Sequence, residues 1–357
     1  MDAITEPPEL AAVRSGEQLD WARLERYLRQ HLDVDGGLEV LQFPNGSANL
    51  TYLLRFGATE LVLRRPPFGT VAPGAHDMRR EHRVLSRLWP AFDRAPRAFL
   101  FCDDPDVIGA DFVVMERRTG VVVRSAIPAA MAGHADVGRR VGLALVDAMA
   151  ELHILHPGTA GVGDLGRPDG FVARQVDGWR TRWSLVRPED GPPAMDELPD
   201  RLVASMPSPT RPSIVHNDLK LDNCQFDPTD PDRVQSIFDW DMTTLGEPLV
   251  DLGTLLNYWP DPSDPPDPPR VSHEGLLTMG LPTRAELIAR YAEQTGIDVS
   301  SVGWYEAFAQ WKTGVVVQQL YRRFERGEST DQRMATIADR LPHLAATAST
   351  LLDQLTP

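Results

Sequence analysis

The sequence predicts an α+β fold of two lobes, an antiparallel sheet with a packed helix followed by a mainly helical half. Three observations carry this expectation. Short alternating or β-branched runs crowd the stretch from Leu38 to Arg118. Beyond Thr119 the apolar residues recur at helical spacing instead. One β-like island, from Ser213 to Asp241, interrupts the helical half. At 357 residues the chain is long enough to bury a core in each of two lobes.

Taken in order, residues 1–16 are polar and proline-containing and read as a loose tail. Leu19 to Leu32 (LDWARLERYLRQHL) spaces its apolar residues as a helix does. LEVLQF, LTYLLRF and LVLRR then read as strands, joined by PNGSAN and GATE, because such runs separated by Gly and Asn turns are the hairpin signal. PPFGTVAPGA is a loop, and Asp77 is placed to cap the amphipathic helix that runs to Trp89. FLFCDD and DFVVMERR complete the sheet.

The second half reads as helices in VGRRVGLALVDAMAELHILH, VARQVDGWRTRWSLV, RAELIARYAEQ, GWYEAFAQWKTGVVVQQLYRRFERG and RMATIADRLPHLAATASTLLDQL. Two Pro-rich segments, RPEDGPPAMDELPD and WPDPSDPPDPPR, punctuate them, and the second continues neither a helix nor a strand.

Composition excludes several classes. A net charge of −15 and a pI near 5.0 lack the basic footprint that a phosphate backbone requires, so no nucleic-acid partner is expected. The opening stretch has no basic start and no apolar segment, so a secretory signal is not expected. No apolar run reaches the roughly 20 residues that span a bilayer, so no membrane is expected. Cys102 and Cys224 make neither a disulfide framework nor a CxxC pair. These features together predict a cytoplasmic protein. Oligomeric state is not legible.

The island opens with SIVHNDLKLDNCQF, a polar cluster set between two strand-like runs. It contains H-x-D-x-x-x-x-N as His216, Asp218 and Asn223, and the strand VQSIFDWD that follows ends in Asp239 and Asp241. Upstream, LVLRR carries Arg64 and the next helix carries Glu81. Taken singly, these are a chance motif, a strand end and a surface ion pair worth little. Taken together they match what phosphoryl transfer from ATP demands. A carboxylate such as Asp218 must sit beside the hydroxyl nucleophile. Hard oxygen ligands such as Asn223 and Asp239 must grip magnesium. A cation fixed by a helix-borne acid, Arg64 with Glu81, must hold the phosphates.

These stretches resemble the aminoglycoside phosphotransferase and choline-kinase-like superfamily, which has the bilobal protein-kinase-like fold. NGSANLTYLL, LVLRRPP, REHRVLSRL, FVVMERRTG, VHNDLKLDN and FDWDMTTLGEPLVDL carry the resemblance. It is closest to the branch that also occurs fused to acyl-CoA dehydrogenases. It implies a nucleotide-binding N-lobe over residues 1–118. It also implies a C-lobe over 119–357 that holds the catalytic loop, the metal site and the acceptor pocket. By the same resemblance Asp218 is the catalytic base, His216 orients the loop, Asn223 and Asp239 bind Mg2+, and Asp251 braces the site. Met115, Glu116 and Arg117 form the hinge for adenine, and Ser47 and Asn49 lie over the phosphates of ATP. These groups are expected to converge on one triphosphate.

The sequence departs from that pattern in three places. Asn217 stands where Gly is usual, and Asn is the least costly replacement if φ is positive there. Arg64 (or Arg65) replaces Lys, which keeps the charge but changes the geometry. PNGSAN has only Gly46 in place of a glycine-rich loop. The expected activity is ATP- and Mg-dependent transfer to a hydroxyl of a small molecule. A hydroxyacyl-CoA or other metabolite kinase is an alternative, as is a nucleotide-binding pseudokinase that serves as an interaction module.

Other motifs take bland readings. His153 and His156 lack an H-E-x-x-H pattern and read as packed or capping residues. Tyr258, Trp259, Trp304, Tyr305 and Trp311 read first as core. Asp103, Asp104 and Asp106 lack the rest of a calcium loop. There is no Walker P-loop and no G-x-S-x-G elbow.

Overall fold

Alternation along the strands sorts the side chains of the first sheet. In a computed structural model, which describes residues 9–44, 49–69, 76–264, 275–328 and 331–355, the chain divides into two compact units. The smaller unit comprises Met1–Thr119, Ala160–Val162 and Gln235–Thr243. It contains α1 (Trp21–His31), β1 (Leu38–Gln42), β2 (Leu50–Phe56), β3 (Thr59–Arg65), α2 (Met78–Leu88), β4 (Ala98–Cys102), a short α3 (Pro105–Ile108) and β5 (Phe112–Glu116). The five strands form an antiparallel sheet in the order β1-β2-β3-β5-β4.

Tyr52, Leu54, Phe56, Leu61, Leu63, Phe112 and Val114 join one buried cluster with Leu24 and Leu28 of α1. Leu53, Val62, Val113 and Met115 are one residue out of step and equally buried, and α2 packs on β4 and β5. Asp77 caps α2 as expected, its side chain accepting from the Arg80 N–H. Asp104 caps α3 in the same way, so the acidic cluster around it serves a helix start. In the amino-terminal stretch read as a loose tail, Ala11 bridges Gln42 at the edge of β1. Residues 1–8, 70–75 and 265–274 lie outside the described residues, as does most of the PNGSAN loop.

The larger unit comprises Gly120–Thr159, Gly163–Val234 and Thr244–Pro357. Its elements begin with β6 (Val121–Val122), α4 (Val137–Ile154), α5 (Phe171–Val186), α6 (Ala194–Ala204), β7 (Ser213–Val215) and β8 (Cys224–Asp227). β9 (Asp230–Ile237) leaves it for the smaller unit, and β10 (Thr244–Gly246), α7 (Leu249–Tyr258), α8 (Arg284–Thr295), α9 (Val302–Glu325) and α10 (Leu341–Leu355) complete it. The β10 strand pairs with β7, and β6 pairs with β8.

Two elements differ from the sequence reading. RPEDGPPAMDELPD is not wholly a break, because α6 starts at Ala194 and contains Pro199. The carbonyl that Pro199 leaves without an N–H is that of Met195, and the Trp311 indole donates to it at 3.2 Å. The last predicted helix begins at Leu341, preceded by 3-10 turns at Gln332–Ala335 and Ile337–Arg340. Trp259, Trp304, Tyr305 and Trp311 are core, as read. α9 packs closely on α7 at Gly253, where a Cβ would lie 2.5 Å from the Tyr305 carbonyl carbon.

Candidate active site

In the smaller unit the period of β3 decides between the two arginines. Arg65 shares the α1 side with Leu61 and Leu63, and it donates to the Ile108 carbonyl and stacks on Phe68. Arg64 faces the other way. Its guanidinium forks, one nitrogen to Glu81 Oε1 and the other to Asp239 Oδ1 at 2.6 Å. Glu81 is fully buried, and its Oε2 has no hydrogen-bond partner. Burial pushes its carboxyl up to about 7, with Arg64 pulling down and Asp241 and Asp239 pushing further up. Burial opposes the Arg64 charge, but Glu81 and Asp239 outweigh it and raise its pKa. Asp239 takes a left-handed conformation (φ 69°) just before the 3-10 turn Trp240–Met242. This aims its carboxylate while Trp240 stays buried and donates its indole N–H to Ile237.

Asn49 is also buried, with Oδ1 2.8 Å from His76 Nδ1 and with Nδ2 unpaired. Ser47 lies outside the described residues. Met115 is buried in β5, and the Glu116 carboxylate accepts from the Arg97 N–H. The Arg117 side chain is taken up by Glu9 and the Phe43 ring.

In the larger unit the quoted loop is built around Asp251. This fully buried carboxylate on α7 accepts from the N–H groups of His216 and Asn217, each at 2.6 Å. His153 Nε2 stands 3.1 Å from it, and Tyr291 OH lies 2.7 Å from the other ring nitrogen. Burial works to raise the Asp251 carboxyl, but the His153 hydrogen bond, followed by the charges of His153 and His216, holds it below the ordinary range. His153 is thus a packed residue, as read, and Asp251 is the brace. Asn217 has φ 69°, the positive value for which Asn is the cheapest non-glycine residue.

Asp218 follows, its N–H donating to Nδ1 of the buried His216 at 3.3 Å. Asp218 Oδ2 accepts from Lys220 Nζ at 2.7 Å and Asn223 Nδ2 at 2.9 Å. The Asn223 amide nitrogen also donates to the Asp218 carbonyl, which turns the side-chain oxygen of Asn223 away from Asp218.

Sequence reasoning missed two residues here. Lys220 pairs with Asp218 and packs its ammonium 5.3 Å over Tyr258. Burial acts to lower its pKa, but Asp218 and Asp222 more than offset that and raise it. Lys312 on α9 donates to the Asn217 carbonyl at 3.3 Å. The only signal for it is a lone lysine in the apolar run FAQWKTGVVV.

The structure therefore brings together Arg64, Glu81 and Asp239 in one unit, and His216, Asp218, Asn223 and Asp251 in the other. The expected metal ligands Asn223 and Asp239 belong to different units. Among the described residues no group of three His, Cys, Asp or Glu side chains is arranged to hold a metal alone. Magnesium needs no such cage, since one or two carboxylates with phosphate oxygens and waters suffice. In the smaller unit Asp239 offers a hard carboxylate, and in the larger unit Asn223 offers a side-chain carbonyl, each an oxygen donor of the kind magnesium takes.

Comparisons with known proteins show the fold and the family. A solved protein of Ralstonia eutropha, assigned provisionally to the aminoglycoside phosphotransferases, is 28% identical with a TM-score of 0.78. That match covers 94% of this chain and 99% of the other. A thermostable mutant of aminoglycoside phosphotransferase APH(4)-Ia, solved with AMP-PNP and hygromycin B, shares the fold at 14% identity and a TM-score of 0.58. It is covered over 98% of its length by 93% of this chain. The fold is therefore the kinase-like α+β fold of these phosphotransferases. The profile of the phosphotransferase enzyme family matches residues 39–293, and the chain belongs to that family. Among curated proteins, acyl-CoA dehydrogenase family member 11 of Rattus norvegicus is 32% identical over 92% of this chain. The match spans 43% of that relative, so the chain accounts for less than half of its length. The branch expected from the sequence is thus borne out. No helix among the described residues is long and apolar enough to cross a membrane.

Proposed function

We propose that this protein transfers the γ-phosphoryl group of ATP to a hydroxyl of a small molecule in a magnesium-dependent reaction. The observation that carries this reading is the clamped left-handed turn at Asn217, which presents Asp218 between Lys220 and Asn223. Asp218 takes the proton of the acceptor hydroxyl as its oxygen bonds to the γ-phosphorus and the bond to the ADP oxygen breaks. Lys220 sits beside that carboxylate and limits the negative charge that accumulates around it. Asn223 and Asp239 are the proposed magnesium ligands, the metal supplying charge neutralisation on the phosphate oxygens. Arg64, held by Glu81, is the phosphate-binding cation, and the unpaired Nδ2 of Asn49 is a further donor to the phosphate oxygens, together with Ser47. Backbone groups of Met115, Glu116 and Arg117 receive the adenine. The protein works as a cytoplasmic enzyme in this reading.

The names of the curated relatives favour a hydroxylated metabolite, such as a hydroxyacyl-CoA, over an aminoglycoside as acceptor. A panel of acceptors spanning aminoglycosides, hydroxy acids and hydroxyacyl-CoA thioesters, scored by ADP release, tests the proposal. Acceptor-dependent ADP release supports the transferase and identifies its class. Release that never exceeds the acceptor-free rate leaves the non-catalytic nucleotide-binding reading in its place.

A further inference from the structure

A lysine in the middle of α9 needs a reason, since its neighbours Trp311 and Thr313 are buried and the helix packs against α7 and α10. Among the described residues Lys312 forms no ion pair. Its ammonium donates to one oxygen, the main-chain carbonyl of Asn217 at 3.3 Å, and lies 5.5 Å from the centre of the Trp179 ring. Burial lowers its pKa, so the protein bears a cost for keeping it there. The N–H of the same residue, Asn217, donates to Asp251 at 2.6 Å. One residue therefore has its backbone donor held by a carboxylate from α7 and its backbone acceptor held by an ammonium from α9. That residue carries a Cβ in the left-handed region, a conformation glycine adopts freely and other residues resist.

We propose that Lys312 is a positioning residue for the catalytic loop. It fixes the carbonyl of Asn217 and thereby the direction in which the next residue, Asp218, presents its carboxylate. The need for it arises from having asparagine rather than glycine at 217. Asp251 holds the N–H of Asn217, and His216 Nδ1 holds the N–H of the following peptide at 3.3 Å, while Lys312 takes the oxygen of that same peptide.

The test is a double-mutant cycle of Lys312→Met with Asn217→Gly in the full chain, read by two measurements. Hydrogen exchange of the segment 214–219 is independent of any reaction. K312M is expected to speed it roughly tenfold, the loss of one hydrogen bond to a charged group. In the N217G background the same substitution is expected to change it less than about threefold, since glycine relieves the strain that the bond opposes. The second measurement rests on the phosphotransfer reading: kcat falls roughly tenfold in K312M while the Kd for an ATP analogue holds. Lys312→Gln keeps an N–H donor without the charge, and intermediate exchange is expected from it. It also serves if K312M fails to fold. Wild-type exchange in both K312M and K312Q overturns the proposal, as does an equal effect of K312M in both backgrounds. A chain that turns over no acceptor, yet loosens at 214–219 as described, sinks the phosphotransfer reading alone.

Discussion

The two charged clusters of this protein are built on opposite principles. Around Asp251 every valence is answered: the carboxylate receives two backbone N–H groups and a histidine, and that histidine has a tyrosine on its far side. Around Arg64 the contacts run between full charges. One guanidinium faces Glu81 and Asp239 with Asp241 near by, and a buried oxygen of Glu81 has no partner. A satisfied buried network stiffens what it touches, whereas a buried acceptor left without a hydrogen bond is a place for a ligand's donor. The larger unit thus holds a scaffold for the loop of Asp218, and the smaller unit holds a buried acceptor oxygen beside its ion pairs.

Substitutions can break or sharpen that contrast. The largest effect is expected at Asp218. D218A should lower phosphoryl transfer by about three orders of magnitude or more while the Kd for nucleotide stays within about twofold. Equal loss of both, measured by turnover and calorimetry, would remove Asp218 from the role of base. At Asp251 the loss should appear in folding. D251A strands two buried N–H groups and a histidine, and a destabilisation of about 3–5 kcal/mol is expected by urea unfolding. A cost below about 1 kcal/mol would mean that the network is dispensable.

Asp239 partners Arg64 as a proposed metal ligand, so D239A should weaken Mg·ATP binding by about tenfold or more. An unaltered magnesium dependence refutes the ligand assignment.

The smallest effect concerns pH. Burial lifts the Glu81 carboxyl from 4.5 to about 7, so the folded state holds a proton that the unfolded chain has released. That contribution to stability is full below about pH 4.5 and is lost as the pH rises through about 7. E81Q cannot titrate. The melting temperature of wild type relative to E81Q should therefore drop between pH 5 and pH 7.5, and a constant difference would contradict the raised pKa.

Much of this was readable in the chain, for local reasons. β3 alternates strictly, so Arg64 and Arg65 had to face opposite ways, although only the packing of α2 shows which side holds the acid. The glycine-like position at Asn217 was legible because a positive φ tolerates few residues, and it has one. α6 was obscured by its prolines. Pro199 is tolerated because a tryptophan more than a hundred residues away takes the vacated carbonyl. Lys220 lay within the motif itself yet gave no sign that it pairs with Asp218.

What the sequence alone determined is the order of elements, the kinase-like class and the chemical types of the groups in the loop, since period and turn chemistry act between near neighbours. Which of those groups are satisfied and which are left wanting was decided only by tertiary structure. Hydrogen bonds and buried charges are settled between residues distant in the chain, as Lys312 and Asn217 are, and no local pattern records that pairing.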